Sequence, residues 1–108
     1  MMWLNDVAYF FGGAFLANAV PHYVSGAMGR AFQSPFAKPP GEGLSSSTVN
    51  VLWGCANLLA SYFLILRVGQ FDFRAADQIA SLGLGFLFVG VMSARIFGRI
   101  HGGNSPMS

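Results

Sequence analysis

The chain has 108 residues and a mass of 11.5 kDa, which suits one domain and not two. Hydrophobic residues make up 54% of it and charged residues 9%, against roughly 25% charged in an ordinary soluble domain. A water-soluble globule this small would have too few charges to cover its surface while hiding so much apolar material. Composition therefore argues against a soluble enzyme, a disordered chain and a nucleic-acid binder, and it favours the lipid bilayer.

The composition offers few residues for nucleic-acid binding, disulfides or metal sites. The basic residues are scattered, so a net charge of +2 does not indicate a nucleic-acid partner. The single cysteine, Cys55, excludes an internal disulfide, and its apolar neighbours predict a small buried side chain. Cys55, His22 and His101 are too far apart in sequence for a closed metal site within one chain. We expect no metal and no cofactor.

Three long segments contain no Asp, Glu, Lys or Arg: residues 7–29, 43–66 and 78–94. A helix needs about 20 mostly apolar residues to cross roughly 30 Å of hydrocarbon, and all three segments are near that length. Helices are favoured because their backbone groups bond to each other, and these segments lack the alternation of barrel strands. The predicted fold is all-α, a bundle of three transmembrane helices forming one integral membrane domain over residues 1–108.

The first helix is predicted over residues 6–29, with Asn5 or Asp6 capping its free amide groups. Pro21 interrupts this helix and removes one backbone hydrogen bond, so a kink is expected at that level. The small residues 17–19 also resemble a signal-peptide cleavage site. That alternative is less favoured, because no basic residue precedes the apolar run and Asp6 stands where a basic flank belongs.

The rest of the chain alternates loops and helices. Residues 30–47 are rich in proline, glycine and serine and are predicted to form a loop. The second helix is predicted over residues 48–67, after a cluster of potential N-caps. A short connection, residues 68–74, makes the second helix an antiparallel neighbour of the third, which is predicted over residues 75–98. Residues 99–108 are expected to form a tail.

Three crossings place the two termini on opposite sides of the membrane. The N-terminal side then carries two basic residues, Arg67 and Arg74, and the other side carries four. The positive-inside rule favours an N-terminus outside the cell and a cytoplasmic C-terminus.

Each predicted helix has one face of small and polar residues, which is typical of helices that pack together in a membrane. A separate stripe on the third helix, Gly90, Ala94 and Gly98, points in another direction and favours self-association. We interpret most of the polar residues as interhelical packing contacts. The polar faces consist of Ala14, Asn18, His22, Ser25 and Gly29; of Asn50, Gly54, Asn57 and Ser61; and of Asp77, Ser81, Gly85, Arg95 and Arg99.

His22 is the sharpest candidate for a functional group. An ionisable side chain at membrane depth is a functional-site hypothesis, and a helix broken at Pro21 leaves carbonyls for a ligand or water. The alternative is structural: His22 lies at the interface end of its helix and donates to the carbonyl that Pro21 frees. The candidate polar intramembrane site comprises Asn18, Pro21, His22, Asn50, Asn57 and Ser61.

Three arginines are candidate lipid-headgroup contacts: Arg30, Arg95 and Arg99. Arg95 and Arg99 are one helical turn apart, which suits an anionic lipid, although simple snorkelling to the headgroups explains Arg95 as well. Arg30 alternatively only marks the end of the first helix. Catalytic residues are not evident, because the acidic side chains fall at predicted helix starts, where capping accounts for them.

The segment from residue 12 to residue 54 contains the most distinctive sequence motifs of the chain. It contains Ala-Asn-Ala-Val-Pro-His at 17–22, Gly-Arg-Ala-Phe-Gln-Ser-Pro-Phe at 29–36, Pro-Pro-Gly at 39–41 and Val-Asn-Val-Leu-Trp-Gly at 49–54. On these motifs the chain resembles a group of small, uncharacterised bacterial multi-pass membrane proteins. The resemblance implies a bacterial inner-membrane location, but no activity, and no functional residue is carried over.

Three functions remain open. The leading hypothesis is a non-enzymatic helical membrane protein whose partners are the lipid bilayer and either a second copy or another membrane subunit. The second is a small transporter or channel component, with a polar path around Asn18, Pro21 and His22. The third is an intramembrane enzyme or cofactor carrier built on His22, in which a haem would need a second histidine from another subunit.

Overall fold

The computed structural model describes residues 2–105, except for the side chain of Met2. Three helices make up most of the chain: α1 (Met2–Ala27), α2 (Ser47–Tyr62) and α3 (Ala76–His101). A π-helical turn, Phe63–Arg67, continues α2 without a break. The protein is therefore mostly helical with three main helices, in agreement with the three charge-free segments.

The helix starts differ in how they are capped. α1 already includes Asn5 and Asp6, so neither residue caps it, and Asp6 Oδ1 is buried with no partner among residues 2–105. At α2, the Ser46 side chain accepts a hydrogen bond from the backbone amide of Val49 over 3.2 Å. This bond satisfies one of the free amides of the first turn. Ser46 therefore sets the start of α2 at Ser47.

The third helix is longer than predicted. It continues past residue 98 and ends at His101. Gly102 follows as its C-cap, and the φ of 79° at Gly102 lies in the left-handed region that glycine adopts without strain. The predicted tail consequently starts later, and its residues 106–108 lie outside the described residues. α1 continues as one helix through Pro21, and the expected kink there stays a prediction.

α1 is the middle helix of the three. It packs against α2 on one side and α3 on the other, whereas α2 and α3 barely contact each other. The prediction that α2 and α3 are neighbours is therefore wrong. A short connection brings two helix ends together, but it does not force their lengths to pack, and here both helices find a closer fit on α1.

Glycines provide that fit by letting backbones approach. A side chain on Gly85 of α3 would overlap the carbonyl oxygen of Phe10, and one on Gly13 of α1 would overlap that of Leu82. On the other side of α1, a Cβ on Gly54 would lie 2.8 Å from the backbone nitrogen of Tyr23. Small residues at membrane-helix interfaces have this effect generally.

Burial in this protein is inverted relative to a soluble domain. The largest fully buried side chains include Asn50 and Asn57, whereas Leu52 is 64% exposed and Leu87 is 60% exposed. Soluble domains bury leucine and leave asparagine outside. Cys55 also lies on the exposed side of α2, which corrects the prediction that it is buried.

Two helical segments are long and apolar enough to cross a membrane: Ser47–Arg67 and Ala76–His101, whose apolar 18-residue windows have mean hydropathies of 1.7 and 1.8. Only 22% and 6% of their most apolar windows are buried, so neither is the enclosed core helix of a soluble protein. α1 is not one of the two segments, and it contains Asn18, Pro21 and His22, which lower its hydropathy.

Candidate functional site

The segment between α1 and α2 folds back over one end of the helices, and we call residues 30–46 the cap. Its two short strands, β1 (Phe32–Gln33) and β2 (Leu44–Ser45), pair antiparallel. The hydroxyl groups of Ser34 and Ser45 are hydrogen-bonded to each other, and Gln33 and Ser34 are buried. The predicted loop is thus a folded structure with a polar interior.

Asn50, on the first turn of α2, joins the cap to the helices. Its Nδ2 lies 3.1 Å from each of the carbonyl oxygens of Phe32, Ser45 and Ser46, which share its two hydrogens. Its Oδ1 lies 2.8 Å from Nδ1 of His22 on α1. Because three carbonyls surround the amide nitrogen, the amide orientation is fixed with its oxygen towards His22.

The orientation of the Asn50 amide determines which ring nitrogen of His22 carries the proton. An amide oxygen only accepts, so Nδ1 of His22 must carry the hydrogen and donate to Asn50. In the neutral ring, Nε2 is then left as an acceptor, and it has no hydrogen-bond partner within residues 2–105. The prediction that His22 donates to the carbonyl freed by Pro21 is therefore wrong, because the Asn50 side chain takes that bond.

A second amide pair lies one turn further into the molecule. Asn57 Nδ2 donates to the carbonyl of Trp53 over 2.8 Å, which turns its Oδ1 towards Asn18. Asn18 Nδ2 donates to that oxygen over 3.0 Å. The side-chain oxygen of Asn18 is consequently left as an acceptor with no partner in the described part of the chain.

The six predicted site residues do not form one cluster. Asn18 with Asn57, and His22 with Asn50, make two bonded pairs across the α1–α2 interface. Ser61 lies deeper along the same interface and donates to the carbonyl of Gly12 over 2.8 Å. Pro21 is apart from these bonds, since it lines an apolar groove between α1 and α3.

Beneath the cap, His22 and Asn18 border a cavity of about 180 Å³. Trp53 lines it too, and Trp53 Nε1 is a buried donor without a partner among residues 2–105. The cavity is surrounded by aromatic, amide and hydroxyl groups, and its lining contains no charged residue. The full lining is Asn18, His22, Gln33, Ser34, Pro35, Gly41, Trp53 and Phe97.

Several members of this site were not found from the sequence. His101 Nε2 lies 2.9 Å from Gln33 Oε1, and its ring stacks on Phe32 at 5.5 Å with an interplanar angle of 8°. Phe97 contacts His22 edge-on, with 6.3 Å between ring centroids. Gln33 and Ser34 carried no periodic signal because they belong to the cap, whereas Phe97 and His101 reach the site only because α3 is parallel to α1.

The arginines lie outside this cavity. Arg95 and Arg99 line a separate polar pocket of about 270 Å³ together with Asn104, while Arg30 is exposed in the cap and is not part of that pocket. Within residues 2–105, no group of three or more His, Cys, Asp and Glu side chains is arranged to hold a metal ion.

Comparison of the chain with protein-family models, with curated proteins and with solved structures gives no match.

Proposed function

We propose that this chain is a small integral membrane protein that crosses the bilayer three times and serves as a non-enzymatic subunit of a helical assembly. One observation carries the proposal: polar and small side chains are buried while large apolar ones cover the outside. In lipid this arrangement has no cost, whereas in water the exposed leucines and phenylalanines would drive aggregation.

The middle position of α1 supports its crossing. α1 has 26 residues, which at 1.5 Å per residue span about 39 Å, and the molecule is 44 Å long. A bilayer is roughly 40 to 45 Å thick with its headgroups. A helix covered by protein on two sides needs less apolar surface than one that faces lipid, so its lower hydropathy agrees with its place between α2 and α3.

The hydrogen bonds favour a structural role over transport for the α1–α2 interface. The donors of three polar side chains at this interface are already used: Asn50 donates to the cap, Asn57 to a carbonyl of its own helix and Ser61 to α1. A permeation path needs polar groups that are free to exchange partners with a passing solute. The transporter alternative therefore has less support than the packing interpretation.

The outer side of α3 supports self-association. Gly90 and Ala94 border an apolar groove of about 450 Å³ beside α1, and nothing lies within 4 Å of a Cβ placed on Gly90 or Gly83. Gly98 does not continue this stripe as predicted, because the side chain of Asn104 covers it. We propose a second copy as the partner that packs along Gly83, Gly90 and Ala94.

Membrane crossing is tested by cysteine labelling in intact bacterial cells. In a Cys55→Ala background, single cysteines replace Asn5, Lys38, Gln70 and Ser105. We expect an impermeant maleimide to label the cysteines at positions 5 and 70, and those at 38 and 105 only after lysis. That labelling pattern would place the N-terminus outside the cell, the cap and the C-terminus inside, and the protein in the inner membrane. Recovery of the chain in the soluble fraction, or equal labelling at all four sites, contradicts the proposal.

Self-association is tested by crosslinking in membranes. Single cysteines at Gly83, Gly90 and Ala94 are expected to form disulfide-linked dimers on mild oxidation. The native Cys55, exposed on α2, is the matched control on a surface assigned to lipid. Crosslinking at Cys55 equal to that on α3, or no dimer at any α3 position, contradicts a specific α3 interface.

A further inference from the structure

The cavity beneath the cap lies next to a groove between α1 and α3. An apolar groove of about 350 Å³ runs between α1 and α3, lined by residues such as Phe11, Phe15 and Met92. Asn18 and Phe97 line both this groove and the cavity. The two spaces therefore adjoin, one small and lined by polar and aromatic groups and the other larger and apolar, as the head and tail of an amphiphilic molecule require.

The hydrogen-bonding character of the head space follows from the two amide orientations. Asn50 fixes Nε2 of His22 as an acceptor, and Asn57 leaves the side-chain oxygen of Asn18 as an acceptor. Both residues line the cavity, and His22 is only 3% exposed. Trp53 lines the same cavity, and its Nε1 is a buried donor without a partner within residues 2–105. A hydroxyl group suits this set, because it donates one hydrogen bond and accepts another.

The size of the cavity and its uncharged lining restrict the class of ligand further. Its lining contains no charged side chain, which disfavours an ionic head, and Trp53 and Phe97 supply flat aromatic walls. A volume of about 180 Å³ is close to that of a cavity of roughly 150 Å³ that admits a benzene ring. A single ring with one hydroxyl group fits these conditions.

We propose that the protein binds a lipid-soluble phenol or quinol, with the ring hydroxyl donating to His22 or Asn18 and the apolar tail lying in the α1–α3 groove. This inference rests on the proposed membrane insertion only for the route of the tail. An acceptor-only head, such as the oxidised quinone or a methyl ether of the phenol, can accept from Trp53 Nε1 but leaves both protein acceptors unpaired, so it binds more weakly.

The test uses the full chain in lipid nanodiscs with Trp3→Phe, which leaves Trp53 as the remaining tryptophan. Para-octylphenol and its methyl ether are titrated separately, and quenching of Trp53 fluorescence reports binding beside the indole. In the ether, a methyl group replaces the donor hydrogen of the phenol. We expect saturable quenching by the phenol and about tenfold weaker binding of the ether. Equal affinities, or no saturable quenching by the phenol, overturn the proposal.

Two matched variants separate the site from general destabilisation. Asn18→Leu and Ser61→Ala each break one hydrogen bond of the α1–α2 interface, but only Asn18 lines the cavity. Asn18→Leu, or His22→Leu as a second variant, is expected to reduce the preference for the phenol, whereas Ser61→Ala keeps it. An unchanged preference in both cavity variants overturns the proposal. Failure of membrane insertion would appear in the labelling experiment and not in this affinity ratio.

Discussion

The two interfaces of α1 are built in different ways. Towards α2, three side-chain hydrogen bonds cross the interface, from Asn18, His22 and Ser61. Towards α3, the carboxyl groups of Asp6 and Asp77 are neighbours near the helix starts, and the rest of the contact relies on glycines and on aromatic rings such as Phe10 and Phe88, 6.4 Å apart. Hydrogen bonds hold the α1–α2 interface, whereas close packing holds most of the α1–α3 interface.

This difference explains where the open space lies. Hydrogen bonds hold α1 and α2 at one register and leave little freedom between them. The α1–α3 contact is close only around Gly13 and Gly85, and apolar grooves lie between the same two helices. Lipid tails, a ligand tail or another helix can enter such grooves without breaking a polar bond. We therefore expect contacts with a ligand tail or a partner helix on the α3 side, whereas polar bonds set the helix register on the α2 side.

The largest effect is expected where the α1–α3 contact is closest. Gly85→Ala places a methyl group against the carbonyl oxygen of Phe10, and backbone atoms cannot rotate away as a side chain can. We expect a loss of about 2 to 3 kcal/mol in the free energy of unfolding, typical of overpacking. Titration of the purified protein from mild detergent into a denaturing detergent, followed by circular dichroism, measures it.

Gly83→Ala is the matched control for that variant. Gly83 lies on the same helix, and a Cβ there meets nothing within 4 Å. It is expected to leave the stability of the monomer unchanged or raise it by about 0.5 to 1 kcal/mol through reduced backbone entropy, so both variants are measured at a protein concentration that keeps the chain monomeric. Equal losses for the two variants would show that α3 does not pack on α1 through Gly85.

A smaller loss is expected at the polar junction of α1, α2 and the cap. Asn50→Leu leaves Nδ1 of His22 and the carbonyls of Phe32 and Ser45 without their partner. We expect a loss of about 2 kcal/mol, since each membrane hydrogen bond is worth roughly 0.6 kcal/mol and unpaired groups add to it. The cap should also become sensitive to protease, which limited proteolysis followed by mass spectrometry detects.

Asn104→Leu is the control for Asn50→Leu, because it also removes an asparagine that donates to a backbone carbonyl. Asn104 Nδ2 bonds to the Ala94 carbonyl over 3.0 Å, but it is exposed at the end of α3. Little change in stability and no new cleavage in the cap are expected. If Asn50→Leu and Asn104→Leu behave alike, Asn50 does not join the cap to the helices.

Periodicity made part of this arrangement predictable. The second helix was expected to have one face of Asn50, Gly54, Asn57 and Ser61, and these are the buried residues of α2. Helical spacing alone determines which residues share a face. In a membrane protein the polar face turns inward, so the absence of charge in the surrounding run indicates which side is buried.

The partners of these residues were not predictable in the same way. The bond between His22 and Asn50 depends on the register between α1 and α2, which composition does not specify. The cap was expected to be a loop because prolines and glycines break periodicity, yet it buries Gln33 and Ser34 against α1 and α3 residues. Long-range contacts in an irregular segment leave no repeating signal along the chain.

The smallest predicted effect isolates one bond of the α1–α2 interface. Ser61→Ala removes the hydroxyl that donates to the Gly12 carbonyl, and that oxygen still accepts within α1, so little is left unpaired. We expect a loss of about 0.6 kcal/mol. Ser93→Ala is the control, because Ser93 lies on the α3 side of both grooves and its hydroxyl has no partner within residues 2–105. A Ser93→Ala loss as large as that of Ser61→Ala would mean that the α3 side also depends on polar bonds, and the contrast between the two interfaces would fail.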